Sequence, residues 1–538
     1  MPLRIAIVED DPAIRANYTD AFRAQGYEVA AFAGRAEALA AFRVRLPDLA
    51  VLDIGLGDEP DGGFALCREL RASSQSLPII FLTARDSDFD TVAGLRMGAD
   101  DYVTKSVSLP HLLARVSALF RRAELVRVPP REPQRRSFEP PDLFPLRRDA
   151  AGERRAEEAR AAGRELLRAS KVAYVLVAGG QASRLGFEAP KGVFPIGPVS
   201  GRPLFDFHAR RLRAAALRHR TRTPWYVMTS ASNDQATREF FGENDFFGLE
   251  PTDVFFFSQG MLPALDREGR ILFAERDALF LAPNGHGGSL LALASSGALQ
   301  DARARGIELF SYFQVDNPLA RPADALFLGL HRLAGAGMSS KVVEKRDAAE
   351  KVGVLGRVDG TLSCIEYIDL PAELREARDP GGALSFRAGN IAVHALSLPF
   401  VEELTRGGLE LPWHLARKRL RVVDAEGRSV ESEGTKFETF VFDALARSRA
   451  SVTLEVDRAQ EFSPVKNATG EDSPASCRAD LCRLFSSWVR AAGLELPPED
   501  EAGNHPVEVD PLFAETQDEF LSRPRPVPDV RPAGHLYA

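Results

Sequence analysis

The stretch Val177-Ala-Gly-Gly-Gln-Ala-Ser-Arg-Leu-Gly186, which Pro190-Lys191-Gly192 closes, is the most informative part of the chain. It follows an apolar run, Val175 to Val177, of the kind that forms a buried strand, so the glycines fall where a strand gives way to a loop. Glycine lets backbone N–H groups approach a polyphosphate closely, and Arg184 and Lys191 add positive charge beside them. The pattern indicates a nucleotide-triphosphate site at the end of a strand.

Several later segments strengthen this interpretation because they follow in an order that chance explains poorly. They are Ser258-Gln-Gly-Met-Leu-Pro-Ala264, Ala282-Pro-Asn-Gly-His-Gly-Gly288, Val315-Asp-Asn317, Lys341-Val-Val-Glu-Lys345, Val352-Gly-Val-Leu355, Ile365-Glu-Tyr367, Ala388-Gly-Asn-Ile391, Lys436-Phe-Glu-Thr-Phe-Val-Phe-Asp443 and Glu461-Phe-Ser-Pro-Val-Lys-Asn467. Over roughly residues 140 to 520 the chain resembles the UDP-N-acetylhexosamine pyrophosphorylases, a branch of the UTP:sugar-1-phosphate uridylyltransferases. The resemblance implies an α/β, Rossmann-like nucleotidyltransferase domain of the GT-A type with a mixed central sheet.

The resemblance also assigns roles to residues of this chain. It implies phosphate contacts from Arg184, Lys191 and Lys466, uridine contacts from Gly179, Gly180, Gln259 and Gly287, and sugar contacts from Gly353, Glu366 and Asn390. Asp316 would hold Mg²⁺, because a carboxylate just past the strand Leu309–Val315 can face the open edge of the sheet. UTP and a sugar-1-phosphate would then give a UDP-sugar and pyrophosphate.

The sugar is less well defined than the reaction. Gln181, after the glycine pair, and the acetylhexosamine-type later segments favour UDP-GlcNAc or UDP-GalNAc as the product. A UDP-glucose or broad-range UDP-sugar pyrophosphorylase stays an alternative, since the orientation of one hydroxyl is set by details of the pocket. A second alternative is a nucleotide-sugar sensor that has lost catalysis.

A different pattern precedes this one in the first 122 residues. Apolar runs at residues 3–8, 49–52, 79–82 and 101–103 alternate with amphipathic segments near 12–25, 35–45, 62–73, 87–97 and 108–122. This alternation predicts a parallel doubly wound sheet, in which the strand ends converge on one edge. Asp10, Asp11, Asp53, Thr83 and Lys105 follow those strands and are expected to share a pocket.

These residues make the segment similar to the receiver domain of bacterial response regulators, which has a flavodoxin-like fold. The resemblance implies that Asp53 accepts a phosphoryl group and that Asp10 and Asp11, with Asp53, form a Mg²⁺ site. Lys105 would pair with the phosphate, and Thr83 and Tyr102 would be the switch pair. A sensor histidine kinase is the implied partner, a receiver-mediated dimer is possible, and phosphorylation would regulate the transferase.

Two positions depart from these families. Ala182 stands where the pyrophosphorylases usually have glycine, and a methyl group on a backbone of positive φ would cost about 1 kcal/mol. Ser106 follows Lys105 where receivers have a proline, usually with a cis bond. A cis bond before serine would cost about 3 kcal/mol, so Lys105 is expected to lie differently.

Length and composition fit a fusion of two domains. The 538 residues carry a net charge of −8, and the Arg-rich stretch 121–171 is interleaved with acids, which argues against DNA binding, as does the lack of a helix-turn-helix after residue 122. The four cysteines lack metal-ligand spacing, and we expect a cytoplasmic protein without a leader or membrane span. The predicted divisions are a receiver at 1–122, a proline- and arginine-rich linker at 123–146, the catalytic domain at 147–490 and a partly irregular extension at 491–538.

Overall fold

The computed structural model of the chain forms two compact units. It describes residues 3–74, 77–83, 99–105, 112, 115–116, 119–120, 136–267, 269–275, 278–424, 427–524 and 526–538. The first unit comprises Met1–Arg135, Met261–Ala282 and Leu415–Phe437, and the second comprises Arg136–Gly260, Pro283–His414 and Glu438–Ala538. Two segments inside the predicted catalytic domain therefore belong to the same unit as the receiver.

The receiver part of the first unit is a five-stranded parallel sheet. Its strands are β1 (Arg4–Val8), β2 (Glu28–Phe32), β3 (Leu49–Leu52), β4 (Ile79–Thr83) and β5 (Asp101–Thr104), in the order β2-β1-β3-β4-β5. The helices are α1 (Pro12–Ala24), α2 (Arg35–Val44) and α3 (Gly62–Ser73). The four predicted strands and three predicted helices are present, and the doubly wound fold is confirmed.

Three elements of the receiver either were not predicted or lie wholly or mostly outside the described residues. Strand β2 was not predicted, because it is an edge strand whose side chains are mostly exposed or half-buried and so lacks a continuous apolar run. The helix expected over 87–97 lies outside the described residues, as does most of the helix expected over 108–122.

The remainder of the first unit, residues 261–282 and 415–437, is called the platform below. It includes β11 (Met261–Pro263) paired with β12 (Leu281–Pro283), and β18 (His414–Val423) paired with β19 (Ser429–Glu438), although the outermost residues of β12, β18 and β19 fall in the second unit. Ile271, Phe273 and Leu279 of the platform are partly buried and pack against a buried cluster of the receiver.

The second unit is built on an eleven-stranded mixed sheet. Its main path runs β10-β9-β8-β13-β17-β14-β20-β7, with β15, β16 and β6 joined at the side. The strands are β6 (Phe138–Glu139), β7 (Leu143–Phe144), β8 (Val172–Val177), β9 (Trp225–Thr229), β10 (Val254–Ser258), β13 (Leu309–Gln314), β14 (Met338–Glu344), β15 (Val354–Val358), β16 (Thr361–Ile365), β17 (Ala388–Ser397) and β20 (Thr453–Glu455). The predicted mixed sheet is confirmed.

Helices and a small sheet surround this core. The helices are α4 (Ala150–Arg168), α5 (Leu204–His219), α6 (Asp234–Glu243), α7 (Gly288–Ser295), α8 (Ala298–Ala304), α9 (Ala325–Leu333), α10 (Ala372–Arg375), α11 (Leu398–Thr405), α12 (Arg458–Glu461), α13 (Pro474–Ala491) and α14 (Gln517–Ser522). Near the C-terminus, β21 (Val507–Val509), β22 (Asp529–Arg531) and β23 (Gly534–Tyr537) form a three-stranded sheet. Among the described residues, no helix combines the length and apolarity that crossing a bilayer requires.

Part of the stretch expected as a linker lies in the second unit. Residues from Arg136 onward belong to the second unit, where β6 pairs with β15 and β7 pairs with β20. Prolines 140 and 141 separate the two short strands, and proline is tolerated at the ends of edge strands because it only removes one donor. A proline-rich composition therefore does not distinguish a free linker from edge strands that end at prolines.

Strand direction positions the site. Strands β8 and β13 are parallel neighbours, with Val177 opposite Gln314 at their carboxyl ends. The loops that follow them, which carry the glycine stretch and Asp316, therefore leave the sheet at the same edge.

Candidate functional site

The glycine loop lies against the side chain of Gln259. A Cβ atom added at Gly179 would come within 2.6 Å of Gln259 Nε2, so a larger residue there would force the Gln259 amide to shift. Gln259 is buried, and its backbone N–H donates to the carbonyl of Thr229. Gly180 has open space instead, since a Cβ there would meet no described atom within 4 Å. The loop therefore presents one packed glycine and one whose backbone is accessible.

Hydrogen bonds fix the shape of this loop. Lys191 N–H donates to the carbonyl of Gly180 at 3.2 Å, and Gln181 Nε2 donates to the carbonyl of Ser232 at 3.0 Å. Ala182 is fully buried with φ −88°, which any residue can adopt. The expected strain at Ala182 is therefore absent, because the left-handed residue of the loop is Gly186, with φ 70°.

Lys191 and Asp316 meet at the sheet edge. Lys191 Nζ lies 3.5 Å from Asp316 Oδ2, and both side chains are largely buried. Asp316 is held in place because its carbonyl accepts from Val465 N–H at 2.9 Å, and Val465 belongs to the segment that carries Lys466. A single carboxylate beside a cation suits a divalent ion that takes its other ligands from substrate phosphates and water.

The other two predicted phosphate residues are more exposed. Lys466 is half-exposed, with Nζ 3.7 Å from Asp472 Oδ2 and 5.4 Å from the centre of the Phe462 ring. Arg184 lies on the surface and forms no ion pair with any residue that the structure describes. Lys191 is thus anchored by the protein, whereas the guanidinium of Arg184 is free to meet an anion.

The three predicted sugar residues lie together. Asn390 N–H donates to the carbonyl of Gly353 at 2.8 Å, and a Cβ at Gly353 would come within 3.5 Å of Glu366 Oε1. Asn390 Nδ2 lies 3.6 Å from Cys364 Sγ. Burial raises the pKa of the Glu366 carboxyl, and the neighbouring His414 opposes that rise. The arrangement offers a carboxylate, an amide and an open backbone to a polyol.

An aromatic and acidic group beside Glu366 is missing from the predicted site. His414 Nε2 and Asp443 Oδ2 are 2.8 Å apart, and this hydrogen bond raises the pKa of His414. The His414 ring lies 4.3 Å from that of Phe440, centre to centre. On the other side, His286 stacks on Phe440 at 5.0 Å. Phe440 and Asp443 belong to the segment Lys436–Asp443 that the sequence singles out, whereas His414 is an isolated histidine at the start of β18 and gives no signal in the sequence.

Gly287 lies where two loops meet. Its N–H donates to the carbonyl of Thr439 at 2.8 Å, and an added Cβ would come within 2.7 Å of Phe440 N. Val441 N–H donates to His286 Nδ1 at 3.1 Å, and burial lowers the pKa of His286 to about 4. His286 is therefore a neutral acceptor that holds the loop.

The receiver brings its acidic residues together as a potential metal site. Ligand atoms of Glu9, Asp10 and Asp53 lie within 4.8 Å of one another. Lys105 Nζ lies 2.6 Å from Asp53 Oδ2 and 2.8 Å from Glu9 Oε2. Lys105 therefore reaches Asp53 although Ser106 follows it, contrary to the displaced position expected from that substitution. Three carboxylates suit a hard divalent cation.

Asp11, predicted to belong to this acidic group, lies instead at the start of α1. Its Oδ1 accepts from Ala13 N–H at 2.8 Å and Ile14 N–H at 3.0 Å, so it caps α1. Glu9, the first residue after β1, takes its place in the acidic group. Thr83 and Tyr102 are both buried, on the neighbouring strands β4 and β5.

Comparison with known proteins agrees with this geometry. The fold and the site define an α/β nucleotidyltransferase preceded by a receiver. Residues 142–536 match the family model described as UTP–glucose-1-phosphate uridylyltransferase, and residues 5–117 match that of the response regulator receiver domain. The chain belongs to this uridylyltransferase family and carries an N-terminal receiver domain. The predicted enzyme class, a nucleotidyltransferase, is confirmed.

Similar proteins include UDP-N-acetylhexosamine and UDP-N-acetylglucosamine pyrophosphorylases. UDP-N-acetylhexosamine pyrophosphorylase-like protein 1 of Xenopus tropicalis is 40% identical over 348 residues, which is 62% of this chain and 68% of that protein. UDP-N-acetylglucosamine pyrophosphorylase of Saccharomyces cerevisiae is 36% identical over 344 residues, 62% of this chain and 72% of that protein. The crystal structure of the uridine diphosphate N-acetylglucosamine pyrophosphorylase from Trypanosoma brucei in complex with inhibitor has a TM-score of 0.64 and 27% identity, covering 77% of this chain and 86% of that one.

Proposed function

We propose that the chain forms a UDP-N-acetylhexosamine and pyrophosphate from UTP and an N-acetylhexosamine-1-phosphate. The observation that carries this proposal is the pairing of Lys191 with Asp316 at the sheet edge, beside the loop of Gly179. The names of the relatives from Xenopus tropicalis and Saccharomyces cerevisiae support the acetylated sugar.

The reaction needs alignment and charge neutralisation more than an activated protein nucleophile. An anionic oxygen of the sugar phosphate attacks the α-phosphorus of UTP, a new P–O bond forms, and the bond to the β-phosphate breaks as pyrophosphate leaves. Both reactants are anions, so the protein must hold them in line while charge develops. Lys191, Arg184 and Lys466 would supply the positive charge.

Asp316 would hold the divalent cation, which we propose to be Mg²⁺. When bound, the ion would neutralise charge on the oxygens of the triphosphate. Lys191 would orient the Asp316 carboxylate in its absence, since the two groups already lie 3.5 Å apart.

The two ends of the substrates would be recognised by separate groups. Gln259, held against Gly179, presents an amide to the uracil, and the backbones of Gly180 and Gly287 would border the nucleotide. Glu366 would accept hydrogen bonds from sugar hydroxyls, and Asn390 would donate to the acyl group. Gly353 leaves room beside them, because any side chain there would press on Cys364 Sγ, 3.1 Å from its Cβ position.

A panel of sugar-1-phosphates tests the choice of sugar. Pyrophosphate release is measured with UTP, Mg²⁺ and N-acetylglucosamine-, N-acetylgalactosamine- or glucose-1-phosphate. We expect the acetylated sugars to have the higher kcat/KM. Higher kcat/KM with glucose-1-phosphate would support the UDP-glucose alternative, and tight UDP-sugar binding without turnover would support the sensor alternative.

We further propose that a sensor histidine kinase, or a small phosphodonor, phosphorylates Asp53 and thereby regulates the transferase. A carboxylate oxygen of Asp53 would attack the donor's phosphorus, and the donor's P–O or P–N bond would break to leave an acyl phosphate. The placement of Glu9, Asp10 and Asp53 within 4.8 Å, with Lys105 beside them, supports a Mg²⁺-dependent site of this kind.

The test compares the wild type with Asp53→Asn in the presence of acetyl phosphate and Mg²⁺. We expect phosphorylation and a changed turnover in the wild type only, and size-exclusion chromatography of the same samples would show whether a receiver-mediated dimer accompanies it. Phosphorylation with unchanged turnover and unchanged oligomeric state would contradict regulation while leaving the transferase proposal intact.

A further inference from the structure

The platform, residues 261–282 and 415–437, is uridylyltransferase sequence that packs on the receiver. Ile271, Phe273 and Leu279 contribute its apolar contact, against a buried receiver cluster that includes Phe42, Phe64 and Cys67. Their partial burial in this cluster removes apolar surface from water, so the contact stabilises the unit. The platform thus packs against a receiver cluster to which Phe42 of α2 and Phe64 of α3 belong.

The receiver cluster that the platform contacts includes Phe64, which lies close to the phosphorylation site. Phe64 belongs to the first turn of α3, and the residue before it, Gly63, donates to the carbonyl of Ile54 at 2.9 Å. A Cβ at Gly63 would lie only 1.9 Å from the carbonyl oxygen of Asp53. The start of α3 is therefore packed on the Asp53 backbone, and a movement of Asp53 would displace Phe64.

The platform is held together as one piece. Leu265 and Thr435 exchange two backbone hydrogen bonds, of 3.0 and 2.6 Å, which join its two segments. Val423 N–H donates to the carbonyl of Phe273 at 2.9 Å, next to the receiver contact. Ala264, Leu272, Leu420 and Val422 form its own small buried core. Displacement of Phe273 would therefore move both segments together.

The four chain ends of the platform continue into the substrate-binding segments of the second unit. Gly260 precedes the first segment, and its carbonyl accepts from Asn284 N–H at 3.1 Å, just after that segment ends. Asn284 in turn accepts from Thr439 N–H at 2.8 Å, just after the second segment ends. His414, immediately before the second segment, lies on the Phe440 ring at 4.3 Å. All four ends are thus tied together beside Gln259 and Gly287.

The segments at these four chain ends are closely packed. A Cβ at Gly260 would lie 2.8 Å from Asn284 Nδ2, and one at Gly287 would lie 2.7 Å from Phe440 N. Packing of this kind transmits displacement, because tightly packed groups shift between discrete arrangements instead of absorbing strain.

We propose that the platform transmits the state of Asp53 to the nucleotide and sugar segments, because it packs against the receiver cluster that includes Phe64 of α3 and continues covalently into those segments. The inference rests on the proposed regulation by phosphorylation and names its route. Truncating the platform's contact residues should therefore remove the response of the transferase to phosphorylation without preventing phosphorylation itself.

The experiment measures the ratio of UDP-sugar formation with and without acetyl phosphate in full-length chains. Phosphorylation of Asp53 is followed by mass spectrometry in the same samples. For the wild type we expect a ratio that differs from one by about five-fold or more, in either direction, the lower range for coupling between two sites. For Phe273→Ala we expect a ratio near one with undiminished phosphorylation.

Three controls keep the outcome interpretable. Ile271→Ala is a smaller truncation that serves if Phe273→Ala fails to fold, and Arg419→Ala changes an exposed platform side chain and should keep the wild-type ratio. Hydrogen exchange should report altered protection of residues 263–283 on phosphorylation of the wild type, but not of Asp53→Asn. A wild-type ratio of one contradicts the proposed regulation. A wild-type response that Phe273→Ala or Ile271→Ala retains contradicts the platform route alone.

Discussion

Lys191 and Asp316 are 125 residues apart in sequence, yet Lys191 Nζ lies 3.5 Å from Asp316 Oδ2. The pair forms because their parent loops follow the parallel strands β8 and β13, which end side by side. A cation and a carboxylate held this way can serve a triphosphate and its metal ion simultaneously.

Replacing Lys191 tests the cationic half of this pair. Lys191→Met should lower kcat by about 100- to 1,000-fold, because it removes one preorganised charge from the reacting phosphates. Lys191→Arg is the matched control and should retain more activity, since it keeps the charge. Equal activity of Lys191→Met and the wild type in steady-state pyrophosphate release would contradict the assigned role.

The two glycines of the nucleotide loop should respond differently to the same substitution. Gly179→Ala places a methyl group 2.6 Å from Gln259 Nε2, so we expect a lower melting temperature and a higher KM for UTP. Gly180→Ala meets no described atom within 4 Å and should keep the wild-type melting temperature. Any rise in KM for Gly180→Ala then reports contact with the nucleotide. Indistinguishable thermal scans for the two variants would show that Gln259 does not pack as described.

The fall of kcat/KM for the sugar-1-phosphate at low pH should depend on Glu366 and His414. Burial raises the pKa of Glu366, so kcat/KM for the sugar-1-phosphate should fall as the pH drops through that raised value and the carboxyl becomes protonated. Asp369, Asp443 and Cys364 also lie near this carboxyl, and of its neighbours His414 is the one that favours ionisation. His414→Gln should therefore move the acidic limb to higher pH.

A double variant separates this effect from titration of the sugar phosphate, whose second pKa is about 6. In a Glu366→Gln background, adding His414→Gln should leave the acidic limb where it was. A limb that moves equally in both backgrounds would mean that His414 acts on another group.

The metal site of the receiver should depend on Asp10 and not on Asp11. Asp10→Asn should weaken Mg²⁺ binding, measured by isothermal titration of the full chain, because it removes one of three converging carboxylates. Asp11→Ala should keep Mg²⁺ affinity but lose about 1 kcal/mol of stability, because Asp11 caps α1. Weakened Mg²⁺ binding in both variants would instead support the pair of Asp10 and Asp11 predicted from sequence.

Helices α4 and α9 of the second unit pack closely, and this contact predicts how a substitution should change stability. A Cβ at Gly329 in α9 would lie 1.7 Å from the carbonyl oxygen of Ala159 in α4. Gly329→Ala should therefore cost about 1–3 kcal/mol in the free energy of unfolding from overpacking. Gly242→Ala, in α6 with open space, should be neutral or stabilise by up to about 1 kcal/mol. Denaturant unfolding of both variants checks the contrast.

Residues that follow strands were predictable from sequence, and residues positioned by tertiary contacts were not. Asp53, Asp316 and the glycine loop each follow an apolar run, so the parallel sheet brings them to an edge. Glu9 and Asp11 both carry carboxylates and lie two positions apart, and only the capping of α1 by Asp11 distinguishes their roles. His414 is hydrogen-bonded to Asp443, 29 residues later in the chain, and no local sequence pattern predicts that contact.

The division into units was the least predictable feature. The platform's strands read as ordinary parts of the uridylyltransferase, and their contact with the receiver depends on three scattered apolar side chains, Ile271, Phe273 and Leu279. Single apolar side chains are also normal on protein surfaces, so their sequence does not reveal a partner.

The formation of UDP-N-acetylglucosamine from UTP and N-acetylglucosamine-1-phosphate, compared between the wild type and Asp316→Asn in Mg²⁺, tests the central claim most directly. Asp316→Asn keeps the size of the side chain and removes its charge, so circular dichroism should confirm an unchanged fold. We expect Mg²⁺-dependent product in the wild type and a loss on the order of 1,000-fold in the variant. Equal rates in the two proteins, or no product from a wild type that binds UTP, would contradict the account.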